Sequence, residues 1–317
     1  MMNFKKISIV VIILFSFGIK CSLHAQDLVV GSYNIRYENQ SDAEKGNGWK
    51  NRCPVITQLI KFNDFDILGM QEVLDGQLED LLKEMSEYDY VGVGRDDGKK
   101  KGEYAPILYK KERFSSLQSG VFWLSEQTDF PNKGWDAALP RICTWIELFD
   151  KKTNDTICFF NLHMDHIGVE ARKESAKLVL KKINEISKKH AVILTGDFNV
   201  DQTNESYYLL ANSKILSDSY EKATVCYALN GTFNNFNPNL VTDSRIDHVF
   251  VSNHFAVDRY GILTDSYRSL ETGKETSEEA KIRLPSDHYP VKVILSYQNK
   301  LLLQIATLIT DFLSSCK

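Results

Sequence analysis

Ala191-Val192-Ile193-Leu194-Thr195-Gly196-Asp197-Phe198-Asn199 runs from an apolar stretch into a glycine, an aspartate and an asparagine. A short run of this kind, bounded by turn-prone residues, reads as a strand that opens into a loop. The i, i+2 spacing places Asp197 and Asn199 on one side of an extended backbone. An aspartate there can orient or deprotonate a water, and an asparagine amide can hold a phosphoryl oxygen.

The pattern recurs. Leu28–Val30 leads to Ser32-Tyr33-Asn34, Phe65–Met70 to Gln71-Glu72, and Thr156–Leu162 to His163-Met164-Asp165. Ile246–Val251 surrounds Asp247, and Val291–Leu295 follows Ser286-Asp287-His288. A strand end is rigid and lies at a sheet edge that a ligand can reach. Any one of these polar residues is more simply a solvated side chain or a helix cap. Their recurrence along one chain is what points to a site.

Helical patterns lie between the strands. Leu78, Leu81, Leu82 and Met85 share one face, as do Ala176, Val179, Leu180, Ile183 and Ile186. Val55, Ile56, Leu59 and Ile60 predict a third helix starting near Pro54. The chain is therefore mixed α/β without an internal repeat. Its 317 residues are 43% hydrophobic, enough for one large core or two small ones. No Ser/Gly/Pro-rich linker interrupts residues 26–298, which read as one domain. Thr272 to Lys281 is polar and is expected to loop out. In the tail, residues 299–317, Leu301, Ile305, Leu308 and Phe312 share a helical face. Asp311 and the shortness of the stretch rule out a span. Packing on the core is expected, with a membrane or partner contact as the alternative.

Residues 1–25 have the form of a signal peptide: Lys5 and Lys6, an apolar run from Ile7 to Ile19, and Ala25 before Gln26. An uncleaved anchor and a lipoprotein at Cys21 are the alternatives, and Lys20 disfavours the second. Cleavage removes Lys5, Lys6 and Lys20 and no acids, which takes the formal charge from −4 to −7. An acidic protein has little long-range attraction for a polyanion, which argues against an avid, non-specific nucleic-acid binder. The remaining cysteines are Cys53, Cys143, Cys158, Cys226 and Cys316. They form no CxxC and no evident disulfide framework, although one or two bridges stay open.

Asn34, Glu72 and Asp287 all offer oxygen, which suits Mg²⁺. No HExxH or cysteine ligand is present, so zinc fits less well. A histidine working on phosphate needs an orienting partner, and Asp247 can orient His288. A carboxylate in an apolar strand needs a partner of its own, for which Arg245 is the other candidate. His163 and Asp165 share a strand face, which turns His166 to the other side.

The motifs Ser32-Tyr33-Asn34-Ile35-Arg36, Gly69-Met70-Gln71-Glu72-Val73, Asn161-Leu162-His163-Met164-Asp165, Thr195-Gly196-Asp197-Phe198-Asn199, Ser244-Arg245-Ile246-Asp247-His248 and Ser286-Asp287-His288-Tyr289-Pro290 occur in a telling order. That order, over residues 28–295, resembles the endonuclease/exonuclease/phosphatase superfamily. The resemblance implies a four-layer α/β/β/α sandwich of two packed mixed β-sheets flanked by helices, with Mg²⁺ or Mn²⁺ at the strand ends. It implies a metal site at Glu72 with Asn34 and Asp287, and Asp197 as the residue that activates water. It also implies Asn199 and His163 as phosphate and transition-state binders, and His288, oriented by Asp247, as the second histidine. All these positions are intact, whereas a degenerate member would have lost at least one.

The general scheme does not need Gly92-Val93-Gly94-Arg95-Asp96-Asp97-Gly98, Gly102-Glu103-Tyr104-Ala105-Pro106, Phe122-Trp123-Leu124-Ser125 or Leu139-Pro140-Arg141. These look like a subgroup of secreted bacterial members. No helix pattern follows the glycines, so they are not a nucleotide fingerprint. Arg141 is a candidate for binding a second phosphate or another anionic group of the substrate, with a structural arginine as the alternative. Trp123 and Trp135 are expected in the core, with the lining of a pocket as the alternative. The expectation is a monomeric phosphoesterase, secreted or periplasmic, that acts on a small-molecule, lipid or nucleic-acid phosphate ester. A general nuclease of the deoxyribonuclease I type and a non-catalytic secreted binding protein on the same fold are the alternatives.

Overall fold

The computed structural model describes residues 27–270 and 280–298. The apolar runs form strands that extend into their polar ends: β1 (Leu28–Asn34), β2 (Ile67–Gln71), β7 (Asp155–His163), β8 (Ala191–Asp197), β11 (Asp247–Val251) and β15 (Val291–Tyr297). They are joined by β3 (Tyr88–Val91), β4 (Ile107–Lys110), β5 (Phe114–Trp123), β6 (Ile142–Asp150), β9 (Ser217–Asp218), β10 (Val225–Tyr227) and β12 (Phe255–Ile262). One sheet has seven strands in the order β10-β12-β15-β1-β2-β4-β3, and the other has six in the order β5-β6-β7-β8-β11-β9. A separate ribbon pairs β13 (Tyr267–Ser269) with β14 (Lys281–Arg283).

Side-chain alternation assigns the layers. Ile157 and Phe159 of β7, Ile193 of β8 and Val249 of β11 meet Val30, Ile67, Ile107 and Val293 between the sheets. The other face of the six-stranded sheet carries Phe160, Leu162 and Leu194. It packs against Ala176, Val179 and Ile183 of one helix and Tyr207 and Leu210 of another. Leu68, Met70 and Leu108 on the outer face of the seven-stranded sheet pack against Ile56, Ile60, Leu78 and Leu81. The helices, after a short α1 (Gln40–Glu44), are α2 (Trp49–Asn63), α3 (Asp75–Glu84), α4 (Val169–Ser187), α5 (Glu205–Ala211) and a one-turn α6 (Ser219–Lys222). Four layers result, each sheet apolar on both faces, which explains the nearly continuous hydrophobic runs.

Helix α2 begins upstream of the predicted start and contains Pro54. Gly48 is extended at its N-cap, and the first turns bury Trp49 and Arg52. That tertiary contact outweighs the ladder hydrogen bond that a proline removes. Trp123 is buried, and its Nε1 donates to the Arg95 carbonyl at 2.9 Å, whereas Trp135 is half-buried with φ of 49°. The described cysteines Cys53, Cys143, Cys158 and Cys226 are free thiols. Among the described residues no helix is long and apolar enough to cross a membrane. The expected signal segment 1–25, the tail 299–317 and most of the 272–281 loop lie outside the described residues.

The topology gathers the polar strand ends at one edge. β1 and β2 run parallel, as do β7 and β8, so Asn34, Glu72, His163 and Asp197 follow or close strands at the same side. β11 is antiparallel to β8 with Asp247 opposite Asp197, and β15 is antiparallel to β1. The starts of these two strands therefore lie at the same edge. Beneath the site the two sheets touch through polar groups. Gln71 donates to Ser32 and Asn161, Asn161 donates to the Met70 and Pro106 carbonyls, and Thr195 donates to Asn161. Gly69 permits this approach, because a Cβ there would lie 2.1 Å from Thr195 Oγ1.

Candidate active site

Asp197 is the centre of the cluster. Its Oδ2 accepts from Asn34 Nδ2 at 2.9 Å and its Oδ1 accepts from the Asn199 backbone at 2.9 Å. His163 Nε2 lies 3.6 Å from the same Oδ2, and His288 Nε2 lies 3.7 Å from it. Burial, and then the neighbouring Asp247 carboxylate, push the Asp197 carboxyl up to about 7. The group is therefore poised between acid and base near neutrality.

The two histidines are held in opposite states. Burial alone would depress both. For His288 the carboxylates of Asp247 and Asp197 outweigh burial and raise it well above the usual histidine range. For His163 burial is reinforced by Arg141 and Arg95, which lower it well below that range. His288 is therefore an imidazolium, its Nδ1–H donating to Asp247 Oδ2 at 2.8 Å, while His163 is neutral.

Glu72 and Asp287 form the oxygen-rich side. Asn34 Nδ2 donates to Glu72 Oε1 at 3.0 Å, and the Tyr37 backbone donates to Oε2 at 3.2 Å. Arg36 lies 3.8 Å from Glu72 and 3.7 Å from Asp287, and it pairs with Asp42 at 2.9 Å. Burial raises the Asp287 carboxyl, and the proximity of Glu72 adds to this against the pull of His288. Asn34, expected as a metal ligand, spends its amide nitrogen on Glu72 and Asp197. Its oxygen accepts from the Arg36 backbone at 3.0 Å. It thus aims two carboxylates at one space. Ligand atoms of Glu72, His163 and Asp197 lie within 4.8 Å of one another, as do those of Asp197, Asp247 and His288. Clustered buried carboxylates of this kind fit a hard divalent cation.

Three of the motif residues just beyond strand ends, Arg36, Glu72 and Asn199, have φ of 59°, 59° and 50°. A non-glycine residue held in this left-handed region is strained. Asn199 Nδ2 donates to the Met164 carbonyl at 3.0 Å, which leaves its second N–H available. A buried arginine braces these turns. Arg52 of α2 donates to the carbonyls of Ile35, Arg36, Asn47 and Pro285.

Arg141 lies behind His163. Its Nε donates to Asp165 at 3.2 Å and its Nη2 to Nδ1 of the exposed His166 at 2.9 Å. A guanidinium only donates, so His166 Nδ1 carries no proton here. Nη1 is buried without a partner, and Arg141 lines a crevice too narrow for a water molecule together with Arg95, Glu103, Tyr104 and His163. Sequence reasoning gave no role to Glu103 or Arg95. Glu103 accepts both Arg95 nitrogens at 2.7 and 2.8 Å and lies 3.8 Å from His163 Nδ1. The Gly102-Glu103-Tyr104 stretch stood out as a surplus motif, but nothing in it named the partner. Arg245 pairs with Asp218 at 3.0 Å, so it is not the partner of Asp247.

Residues 31–288 match the model of the Endonuclease/Exonuclease/phosphatase family. An endonuclease/exonuclease/phosphatase family protein of Bacteroides thetaiotaomicron superposes with a TM-score of 0.83 at 53% identity, covering 86% of this chain and 98% of that one. A mannosyl-6-phosphatase of the same organism gives a TM-score of 0.82 at 54% identity, covering 85% and 100%. The human nocturnin catalytic domain shares the fold alone, at 18% identity and a TM-score of 0.63 over 86% of this chain and 94% of that one.

Proposed function

Because the chain belongs to the endonuclease/exonuclease/phosphatase family, we propose that it is an exported, Mg²⁺-dependent phosphomonoesterase whose substrates are sugar phosphates. Members of the family are divalent-metal-dependent hydrolases of phosphate esters. The observation that carries the reaction is Asp197 Oδ2 set between His163 and His288 at 3.6 and 3.7 Å. The likeness to a mannosyl-6-phosphatase over 85% of the chain supports the substrate class, and the acidic charge expected after processing is consistent with it.

In this reading Asp197 takes a proton from the attacking water, since burial holds it near the pH at which it works. His288, cationic through Asp247, donates from Nε2 to a non-bridging oxygen. Neutral His163 and the free N–H of Asn199 donate to others. Asn34 keeps Glu72 and Asp197 aimed at the same space, and Glu72 and Asp287 would hold the cation. When bound, that ion supplies stabilisation of negative charge on the phosphate and the leaving oxygen. Burial, reinforced by Arg141 and Arg95, keeps the His163 imidazole uncharged.

The test is a substrate panel with Mg²⁺: mannose 6-phosphate, other hexose phosphates, bis-p-nitrophenyl phosphate and plasmid DNA. Hexose phosphates should be cleaved fastest. Preferential cleavage of DNA would replace this reading with a nuclease. Export is supported by Lys5, Lys6, the apolar run and Ala25. Mass spectrometry of native protein should find a start near Gln26, and an intact Met1 would count against export.

A further inference from the structure

The catalytic cluster is almost wholly polar, yet one large apolar side chain stands beside it. Phe233 is 36% exposed, and its ring meets the His288 ring edge-on, with centroids 5.1 Å apart at 68°. Among the described residues, no other exposed large hydrophobic has a recorded ring contact with the cluster. Tyr37, the half-buried aromatic on the Glu72 side, already carries the Arg36 guanidinium 4.7 Å from its centroid.

Phe233 is held rather than merely present. It bridges to His288, and on either side of it Tyr289 N donates to the Thr232 carbonyl while Asn234 N and Asn235 N donate to the Asp287 carbonyl. The Thr232 hydroxyl accepts from the backbones of Ile246 and Asp247 at 2.9 and 3.0 Å. The backbone that carries the ring is thus tied to both members of the Asp247–His288 pair, and the exposed part of the side chain is held beside the cluster. Leaving a rigid aromatic partly in water forgoes hydrophobic stabilisation, and a site residue beside it is where that exposure can be used.

We infer that Phe233 is the wall against which the organic part of the substrate rests, and that it sets preference for a leaving group with an extended C–H face, such as a hexose ring. This rests on the sugar-phosphate reading above. A phosphate bonded to His288 Nε2 brings its ester substituent close to Phe233, and the face of an aromatic ring takes up C–H groups through dispersion and its negative quadrupole. Phe233 is a specificity residue rather than a catalytic one in this scheme, because it offers neither proton nor charge.

The experiment compares kcat/KM for mannose 6-phosphate with that for methyl phosphate, whose leaving group is too small to reach a wall. The variants are Phe233→Ala, Phe233→Leu and Phe233→Trp. The ratio should fall roughly tenfold in Ala and in Leu, chiefly through KM, and stay within about threefold of wild type in Trp. Leu is the informative variant, because it retains apolar bulk against His288 and removes only the aromatic face. Equal loss on both substrates would mean that Phe233 merely positions His288, and would overturn the inference. So would an unchanged ratio. Failure of the wild-type protein to cleave any hexose phosphate would overturn the functional reading itself, and this inference with it.

Discussion

His288 Nδ1 lies 2.8 Å from Asp247 Oδ2, and both groups are buried where water cannot replace either partner. Asp247 faces Asp197 across the β8–β11 ladder, so one imidazolium answers two carboxylates. Asp247→Asn and His288→Ala should each lower kcat, His288→Ala by at least ~10²-fold. In the His288→Ala background, Asp247→Asn should cost less than it does alone, because the two act as one unit. A double-mutant cycle on kcat checks this, and independent multiplication of the two losses would refute the pairing.

The raised Asp197 carboxyl fixes the pH dependence of activity. The base form is needed, so kcat should climb as pH rises through about 7 and fall on the acid side. Asp197→Asn should remove at least ~10²-fold and leave no such limb. A pH–rate profile with no ionisation between pH 6 and 8 would show that another group takes the proton.

The same shift has a cost in stability, and its sign can be worked out. Between the unfolded carboxyl range near ~4 and about 7, the folded metal-free protein binds a proton at Asp197 that the unfolded chain has released. Unfolding free energy from this group therefore falls as pH rises through that window. Urea midpoints of wild type and Asp197→Asn, measured without metal from pH 4 to pH 8, should diverge in favour of the variant.

Arg95 and Glu103 are paired through two nitrogens with little solvent access. Arg95→Met leaves a half-buried carboxylate without its partner, and should destabilise the fold by about 2 kcal/mol. The joint change Arg95→Met with Glu103→Gln should recover most of that. Calorimetry on wild type and the two variants decides it.

Chelation should abolish activity and Mg²⁺ should restore it. Binding should also raise the Tm of wild type by mass action. Glu72→Gln should lose most of that shift while folding normally. Full activity after exhaustive chelation would contradict the family's chemistry.

Much of the site could be read from the chain, because a strand buried on both faces is apolar until it ends. The polar residue that breaks the run is then conspicuous, as at Asn34, Glu72, His163 and Asp197. The need of a histidine working on phosphate for an orienting partner leads from His288 to Asp247. What could not be read was a partner brought in from elsewhere. Glu103 and Arg95 meet through a loop whose course no periodicity specifies. Arg52 reads as an ordinary helix arginine, and only the structure shows it bonded to four carbonyls. Pro54 suggested a helix start because the pull of Trp49 and Arg52 toward the core is tertiary. Asn34 reads as an oxygen donor, and the two carboxylates that its nitrogen reaches come from the ends of other strands.

The place of β15 has a consequence for the order of events in folding. It is the last strand of the described residues, yet it sits between β12 and β1 inside the seven-stranded sheet. Until it arrives, β1 and β12 each present an unpaired edge, and the Pro285 carbonyl that Arg52 grips is missing. A nascent chain that has not yet reached residue 285 has the strands β7 and β8 but no His288 and no closed site. Contacts between residues so far apart in sequence make for slow, late closure. The site should become competent only once β15 and the Asp287-His288 turn before it have been made.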